Sequence, residues 1–266
     1  MKIAHIIPPW GKFNFKTAHG IYGVAYSLIK KQAEMGNSVT LFASKGSKTD
    51  CGFLFETIKS LDDMGISLYE NRSYAYNIMH AAILAEKADS FDIIHSHIEH
   101  VFLPFIKKIK TPVISTIHGS NFDCAAKNIF RQNYGKFNAV ALSKSAIKHL
   151  EFIKFSDYVY NGLALKNFPL KNSISANAPV FWIGRMHPDK GALEANIVSK
   201  KTEIPIVFAG IEEKSFNQYG EKLIAEIHKN PRACFKKNVS GNKRSMLYSK
   251  SKLTLSPIQW EEPFGL

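Results

Sequence analysis

Short apolar runs alternate along the chain with segments whose apolar residues recur at helical spacing, the pattern of parallel strands joined by crossover helices. Lys2–Ile7 reads as a buried strand. Gly20–Met35 then carries Ile21, Val24, Ala25 and Leu28 on one helical face, and Gly36-Asn37 turns the chain into a strand at Val39–Ala43, completing a βαβ unit. Phe91–His95, Pro112–Ile117, Ala139–Leu142 and Asp157–Tyr160 read as further strands, separated by helices that start near Ala75, Ala125 and Ser143. After the turn signal Asn161-Gly162, the stretch Leu163–Pro179 is polar and proline-containing with no sustained period. The pattern therefore predicts an α/β chain with one domain over 1–165, a linker over 166–178 and a second domain over 179–266. In that second domain, strands are expected at Val180–Ile183, Ile204–Ala209 and Lys252–Ser256, with helices from about Lys190, Glu221 and Lys243. So few strands leave a sheet edge open, and the chain reads as stopping inside its second domain.

Composition narrows the class. The 266 residues are 45% hydrophobic and 12% aromatic, enough to build a buried core and to exclude a disordered chain. No apolar run is long enough to span a bilayer, and the prolines in MKIAHIIPPW interrupt any signal-like segment, so a cytoplasmic location is expected. Cys51, Cys124 and Cys234 are odd in number and far apart, which predicts free, buried thiols. Basic residues outnumber acidic ones 35 to 22, a net charge of +13. They are scattered, with small clusters at Lys107, Lys108 and Lys110, at Lys200 and Lys201 and at Lys236 and Lys237, and no aromatic residues interleave with them. Nucleic acid is therefore not an expected partner, whereas an anionic or membrane-presented partner fits the charge. Phe102–Lys110 joins apolar residues to cations. It reads as a partly buried helix with a solvated basic end, with peripheral docking at the inner membrane surface as the alternative.

Ligands of open α/β sheets gather at the carboxyl ends of the strands, so the residues following each strand carry the chemistry. Pro8-Pro9-Trp10-Gly11 follows the first strand, and the next helix opens at Gly20, where free amides can receive an anion. His95, His97, Glu99 and His100 nearly spell the HxHxDH signature of metallo-β-lactamase-like hydrolases, since alternation places His95 and His97 on one face. A zinc-dependent hydrolase using these residues is the alternative reading; polar residues lining a cleft floor are the plainer one. His118-Gly119 ends another strand, where an imidazole can hydrogen-bond a substrate oxygen and glycine admits close backbone approach. Gly184-Arg185 and Lys190-Gly191 flank a strand-to-helix turn and combine a guanidinium, an ammonium and free helix amides, a donor set suited to a diphosphate.

A series of segments in register carries a resemblance to a known family. His19-Gly20-Ile21, GNSVTLFAS, DIIHSH, TPVISTIHG, VALSKS, YNGLAL, WIGRMHPDKG and PIQWEEPFGL are each similar, in order, to segments of family 4 glycosyltransferases, and Glu262-Pro263-Phe264-Gly265-Leu266 resembles the start of their E-x7-E motif. The resemblance implies a GT-B fold of two Rossmann-like domains with parallel sheets. It also implies retaining transfer of a sugar from a nucleoside-diphosphate sugar, held mostly by the second domain, to an acceptor held mostly by the first. No metal or other cofactor is implied. Carried onto this chain, Arg185 and Lys190 grip the donor diphosphate, Gly20 lies against the phosphates, and His118 contacts the donor sugar. Glu262 accepts hydrogen bonds from sugar hydroxyls while the amides of Phe264, Gly265 and Leu266 complete the cradle; His118 and Glu262 are the catalytic candidates. Two departures stand out: His19 occupies the place of the first of two glycines, and the motif's second glutamate falls beyond Leu266. A chain so truncated reads as an inactive fragment, or as a non-catalytic module that still binds acceptor.

Overall fold

The computed structural model describes residues 1–18, 20–68, 70–163, 165, 168, 171, 173–211, 217–239 and 241–265. His19 and Leu266, both singled out above, lie outside the described residues, and the described chain splits into two compact units. The first comprises Met1–Gly162 with Glu262–Leu266, and the second Leu163–Glu261.

In the first unit β1 (Lys2–Ile6), α1 (Gly20–Glu34), β2 (Ser38–Ala43), β3 (Phe53–Glu56), α2 (Asn71–Ala85), β4 (Ile93–Ser96), β5 (Val113–Thr116), α3 (Cys124–Gln132), β6 (Asn138–Ala141), α4 (Lys144–His149) and β7 (Phe155–Tyr158) follow one another. The strands form a seven-stranded parallel sheet in the order β3-β2-β1-β4-β5-β6-β7. Its order reverses on either side of β1, which is the doubly wound arrangement that leaves a crevice at the carboxyl ends of β1 and β4.

Alternation along β1 shows why both faces are covered. Ile3 and Ile7 pack with Ala25 and Ile29 of α1 and with Val39 and Leu41, while Ala4 and Ile6 pack on the opposite face with Ala81 and Leu84 of α2, Phe42 and Ile94. His5 alternates with Ile3 and Ile7 and therefore sits on the α1 side. Side-chain caps start two later helices: Asp123 Oδ1 accepts from the Ala126 amide at 2.7 Å, and Ser143 Oγ accepts from that of Ala146 at 3.0 Å.

The second unit contains β8 (Val180–Arg185), a single 3-10 turn at Pro188–Lys190, α5 (Ala192–Thr202), β9 (Ile206–Ile211), α6 (Asn217–His228), β10 (Ala233–Lys237) and α7 (Gly241–Lys250). Its parallel sheet runs β10-β9-β8. On the free side of β8 the expected strand Lys252–Ser256 is present as a hydrogen-bonded run: Lys252 N donates to Pro179 O, Phe181 N to Leu253 O and Leu255 N to Phe181 O. Trp182, Phe208 and Ile227 form the fully buried centre of this unit.

The segment after β4 is the partly buried helix expected, a 3-10 helix at Glu99–Lys108 whose Val101, Phe102 and Leu103 belong to the core while Pro104, Lys107 and Lys108 are exposed. One expectation needs correcting. Cys124 and Cys234 are exposed and Cys51 half-buried, in place of buried thiols. No helix among the described residues is long and apolar enough to cross a membrane.

Candidate functional site

In the first unit the site grows out of strand register. Pairing of β1 with β4 sets His5 opposite His95, so both point to the α1 side of the sheet, and the two-residue period brings His97 to the same side. His118 follows β5, the next strand across. Helical spacing from the buried Ala25 and Ile29 brings Gln32 of α1 over His5. The result is a continuous line of contacts. Gln32 Oε1 lies 2.7 Å from His5 Nε2, His5 Nδ1 lies 3.2 Å from His97 Nε2, and His97 Nδ1 lies 3.0 Å from His118 Nε2. The ring planes of His5 and His97 differ by 18° and those of His97 and His118 by 33°, with centroids 5.4 and 5.2 Å apart, so the N···N contacts run nearly in line. His95 stands beside this line, stacked on His97 with centroids 4.4 Å apart and bonded through Nε2 to Thr116 Oγ1 at 2.8 Å.

The backbone of His118-Gly119 is held from another direction. Glu99 Oε1 accepts from the amides of His118 at 3.0 Å and Gly119 at 2.6 Å. Glu99 itself takes φ 51°, an unusual conformation for a side-chain-bearing residue, which turns its carboxylate back under the loop.

The residues grouped from sequence as a zinc set do not converge. His95 bonds Thr116, His97 bridges two imidazoles, Glu99 caps backbone amides, and His100 packs among Tyr74, Phe122 and Phe130 with its Nδ1 buried and unpartnered. The imidazole nitrogens of His5, His95 and His97 do come within 4.8 Å of one another. The rings of His95 and His97, however, are only 14° from parallel and stacked, so their in-plane lone pairs run side by side and cannot meet at one tetrahedral ion. Sequence reasoning missed His5 and Gln32. A histidine inside an otherwise apolar buried strand was the available signal for the first; nothing local marks the second.

Burial sets the charge of this cluster. It lowers the imidazole pKa of His5 and His118 from the ordinary 6.5 to about 4 and that of His95 to about 3, and holds His97 well below the ordinary value. Burial pushes the Glu99 carboxyl up to about 7, against the pull of its two backbone amides. The signs oppose. The unfolded chain takes up protons on these histidines near pH 6.5 while the folded chain resists until about pH 4, so stability is lost as pH falls through that window; Glu99 contributes in the other direction between pH 7 and its ordinary 4.5. Histidines outnumber the single carboxyl, and one pKa unit corresponds to about 1.4 kcal/mol. The melting temperature is therefore expected to fall steadily between pH 6.5 and pH 4 at constant ionic strength, and a flat profile there would contradict the buried neutral cluster.

In the second unit the cationic turn after β8 is tied down on several sides. Trp182 Nε1 donates to the Lys190 carbonyl at 2.9 Å, Gln259 N donates to Asp189 O at 2.8 Å, and the Lys190 ammonium lies 5.0 Å from the centre of the Trp260 ring. Gly191 adopts φ 65°, ψ 29° and its α-carbon faces the Pro257 carbonyl so closely that a Cβ would overlap it. Arg185 is exposed at the end of β8. Gly20 opens α1 at φ 54° with open space around it. Glu262, Phe264 and Gly265 group with the first unit, where Ser143 Oγ donates to Pro263 O at 2.7 Å and the Phe264 ring lies 5.9 Å from that of Tyr160.

Two parallel, doubly wound units, the second with a cationic strand-to-helix turn, define a GT-B type protein. The chain belongs to glycosyltransferase family 4: the model of Glycosyltransferase Family 4 matches residues 19–162, more than half its length. No curated protein matches it significantly. Among solved structures it is similar to AviGT4, a glycosyltransferase involved in avilamycin A biosynthesis, at 18% identity and a TM-score of 0.69 over 99% of this chain and 73% of that one. It is also similar to Anabaena HepE in complex with UDP and glucose, at 14% identity and a TM-score of 0.71 over 100% and 76% of the two chains. The catalytic domain of starch synthase IV from Arabidopsis thaliana, bound to ADP and acarbose, gives 12% identity and a TM-score of 0.69 over 99% and 79%. At such identities the likeness establishes the fold.

Proposed function

We propose that the protein is a retaining hexosyltransferase that moves a sugar from a nucleoside-diphosphate sugar to an acceptor that is anionic or presented at a membrane surface, working in the cytoplasm. The observation that carries this reading is membership of family 4. Arg185 and Lys190 bind the diphosphate and offset the charge that develops as the bond to the sugar breaks, work that a divalent cation does in metal-dependent transferases. The protein therefore needs no metal or other cofactor. The open helix start at Gly20 receives phosphate oxygens. His118 meets a hydroxyl of the donor sugar, Glu262 accepts from others, and the amides of Phe264, Gly265 and Leu266 complete the cradle. The structures of HepE with UDP and glucose and of the starch synthase with ADP and acarbose support a nucleoside diphosphate as the ligand to try first. The net charge of +13 supports an anionic acceptor.

The deciding experiment is thermal denaturation with and without UDP, GDP and ADP, in EDTA throughout. One nucleotide is expected to raise the melting temperature, by about 2.7 kcal/mol of stabilisation at a hundredfold excess over its dissociation constant. Arg185→Ala should abolish that shift. If no nucleotide shifts the wild type, the donor site does not exist in this chain.

A further inference from the structure

The histidine line has a direction. Gln32 presents its carbonyl oxygen, an acceptor only, to His5 Nε2, so that nitrogen carries the proton. A neutral imidazole has one N–H, which leaves His5 Nδ1 as an acceptor, and His97 must then donate to it from Nε2. His97 Nδ1 is left as an acceptor in turn, and His118 donates to it from Nε2. Each tautomer is dictated by the one before, and the only nitrogen left over is His118 Nδ1, which faces no hydrogen-bond partner among the described residues.

We propose that Gln32, His5 and His97 act as positioning residues that lock His118 in its Nε2–H tautomer, presenting Nδ1 as a lone-pair acceptor to a hydroxyl of the donor sugar. The proposal rests on the reading of His118 as a donor contact and goes beyond it by assigning polarity: His118 accepts where an isolated histidine is free to donate or accept. Protonating any member would set one N–H against another along the line, so the chain works only with every ring neutral. The low proton affinities of all its rings agree with that requirement. The two amide contacts from Glu99 fix the backbone of His118 while the line fixes its ring, so neither rotation nor tautomer exchange is free. A buried network with every member satisfied specifies a single arrangement, which an isolated surface histidine lacks.

The test has two arms. In the first, the protein carrying 15N-labelled histidine is examined by long-range 1H–15N correlation at pH 7.5 without ligand, which reports the tautomer of each ring. His118 is expected as pure Nε2–H. In Gln32→Leu, which removes the anchoring acceptor, its signals should shift to values averaged between tautomers, and Gln32→Glu, an acceptor of the same reach, should restore the single form. Finding Nδ1–H on His118 of the wild type, or no change in Gln32→Leu, overturns the proposal. In the second arm, dissociation constants are measured for UDP, GDP and ADP and for UDP-glucose, GDP-mannose and ADP-glucose. Gln32→Leu should weaken the nucleotide sugar about tenfold, the size of one neutral hydrogen bond, and leave the matching nucleoside diphosphate unchanged. Equal weakening of both would mark Gln32 as merely structural and reject the sugar-directed role. If the wild type binds none of the six, the donor-site reading fails and takes the sugar role with it, while the NMR arm still decides whether the line sets the His118 tautomer.

Discussion

Replacing Gly191 with alanine is expected to lower the melting transition of the second unit by about 10 °C or more, at about 4–8 °C per kcal/mol for a unit of this size. Two costs add. The residue sits at φ 65°, ψ 29°, where an L side chain costs about 1–2 kcal/mol. The new Cβ would also overlap the carbonyl of Pro257, backbone that cannot move aside without disturbing the hydrogen-bonded run beside β8; overpacking of this kind costs about 1–3 kcal/mol. Gly20→Ala provides the comparison. That glycine also has positive φ, at 54°, but a Cβ there meets nothing within 4 Å, so only the conformational part of the cost applies. Scanning calorimetry of both variants separates the two contributions. Similar small shifts for both would mean that Gly191 is not wedged as described.

Lys190→Ala is expected to weaken binding of the nucleoside diphosphate by about 10- to 100-fold, the loss of a hydrogen bond to a charged group. The fold should survive, because the Lys190 carbonyl accepts from Trp182 Nε1, a bond that does not depend on the side chain. What disappears is an ammonium held over the Trp260 ring, a cation placed before any ligand arrives. Isothermal titration with whichever of UDP, GDP or ADP stabilises the wild type measures the effect. Undiminished affinity in a folded variant would remove Lys190 from the donor site.

Most strands legible in the sequence lie inside the first sheet, although β7 at its edge was read as well, two residues late. β1, β2, β5 and β6 are buried on both faces of the sheet and show as apolar runs, and their boundaries fall within a few residues of expectation. β3 and β10 went unread. Each lies at the edge of its sheet, and each has mixed exposure, as in Phe53 at 68% and the lysines of ACFKK, because an edge strand has only part of its surface to bury. The helix from about Glu221 begins instead at Asn217, in a polar stretch whose period shows only from Tyr219 onward.

The site divides along the same line. The candidates Gly20, His118, Arg185, Lys190 and Glu262 could be proposed from local order alone, because each lies in a short segment that resembles one of the family. His95 and His97 were also visible, but the sequence left a zinc set open as the alternative to plain cleft-lining residues, since adjacency in sequence says nothing about which way a lone pair points. Only the tertiary structure decided that. The register of β1 against β4 brought in His5 from ninety residues away in sequence, the packing of α1 brought in Gln32, and stacking set His95 beside His97 with its lone pairs directed elsewhere. By itself the sequence determined the fold class and the family, since these rest on periodicity and on short segments read locally. The tertiary structure determined the partners and proton positions of the histidines, since hydrogen-bond direction depends on contacts that exist only once distant strands lie side by side.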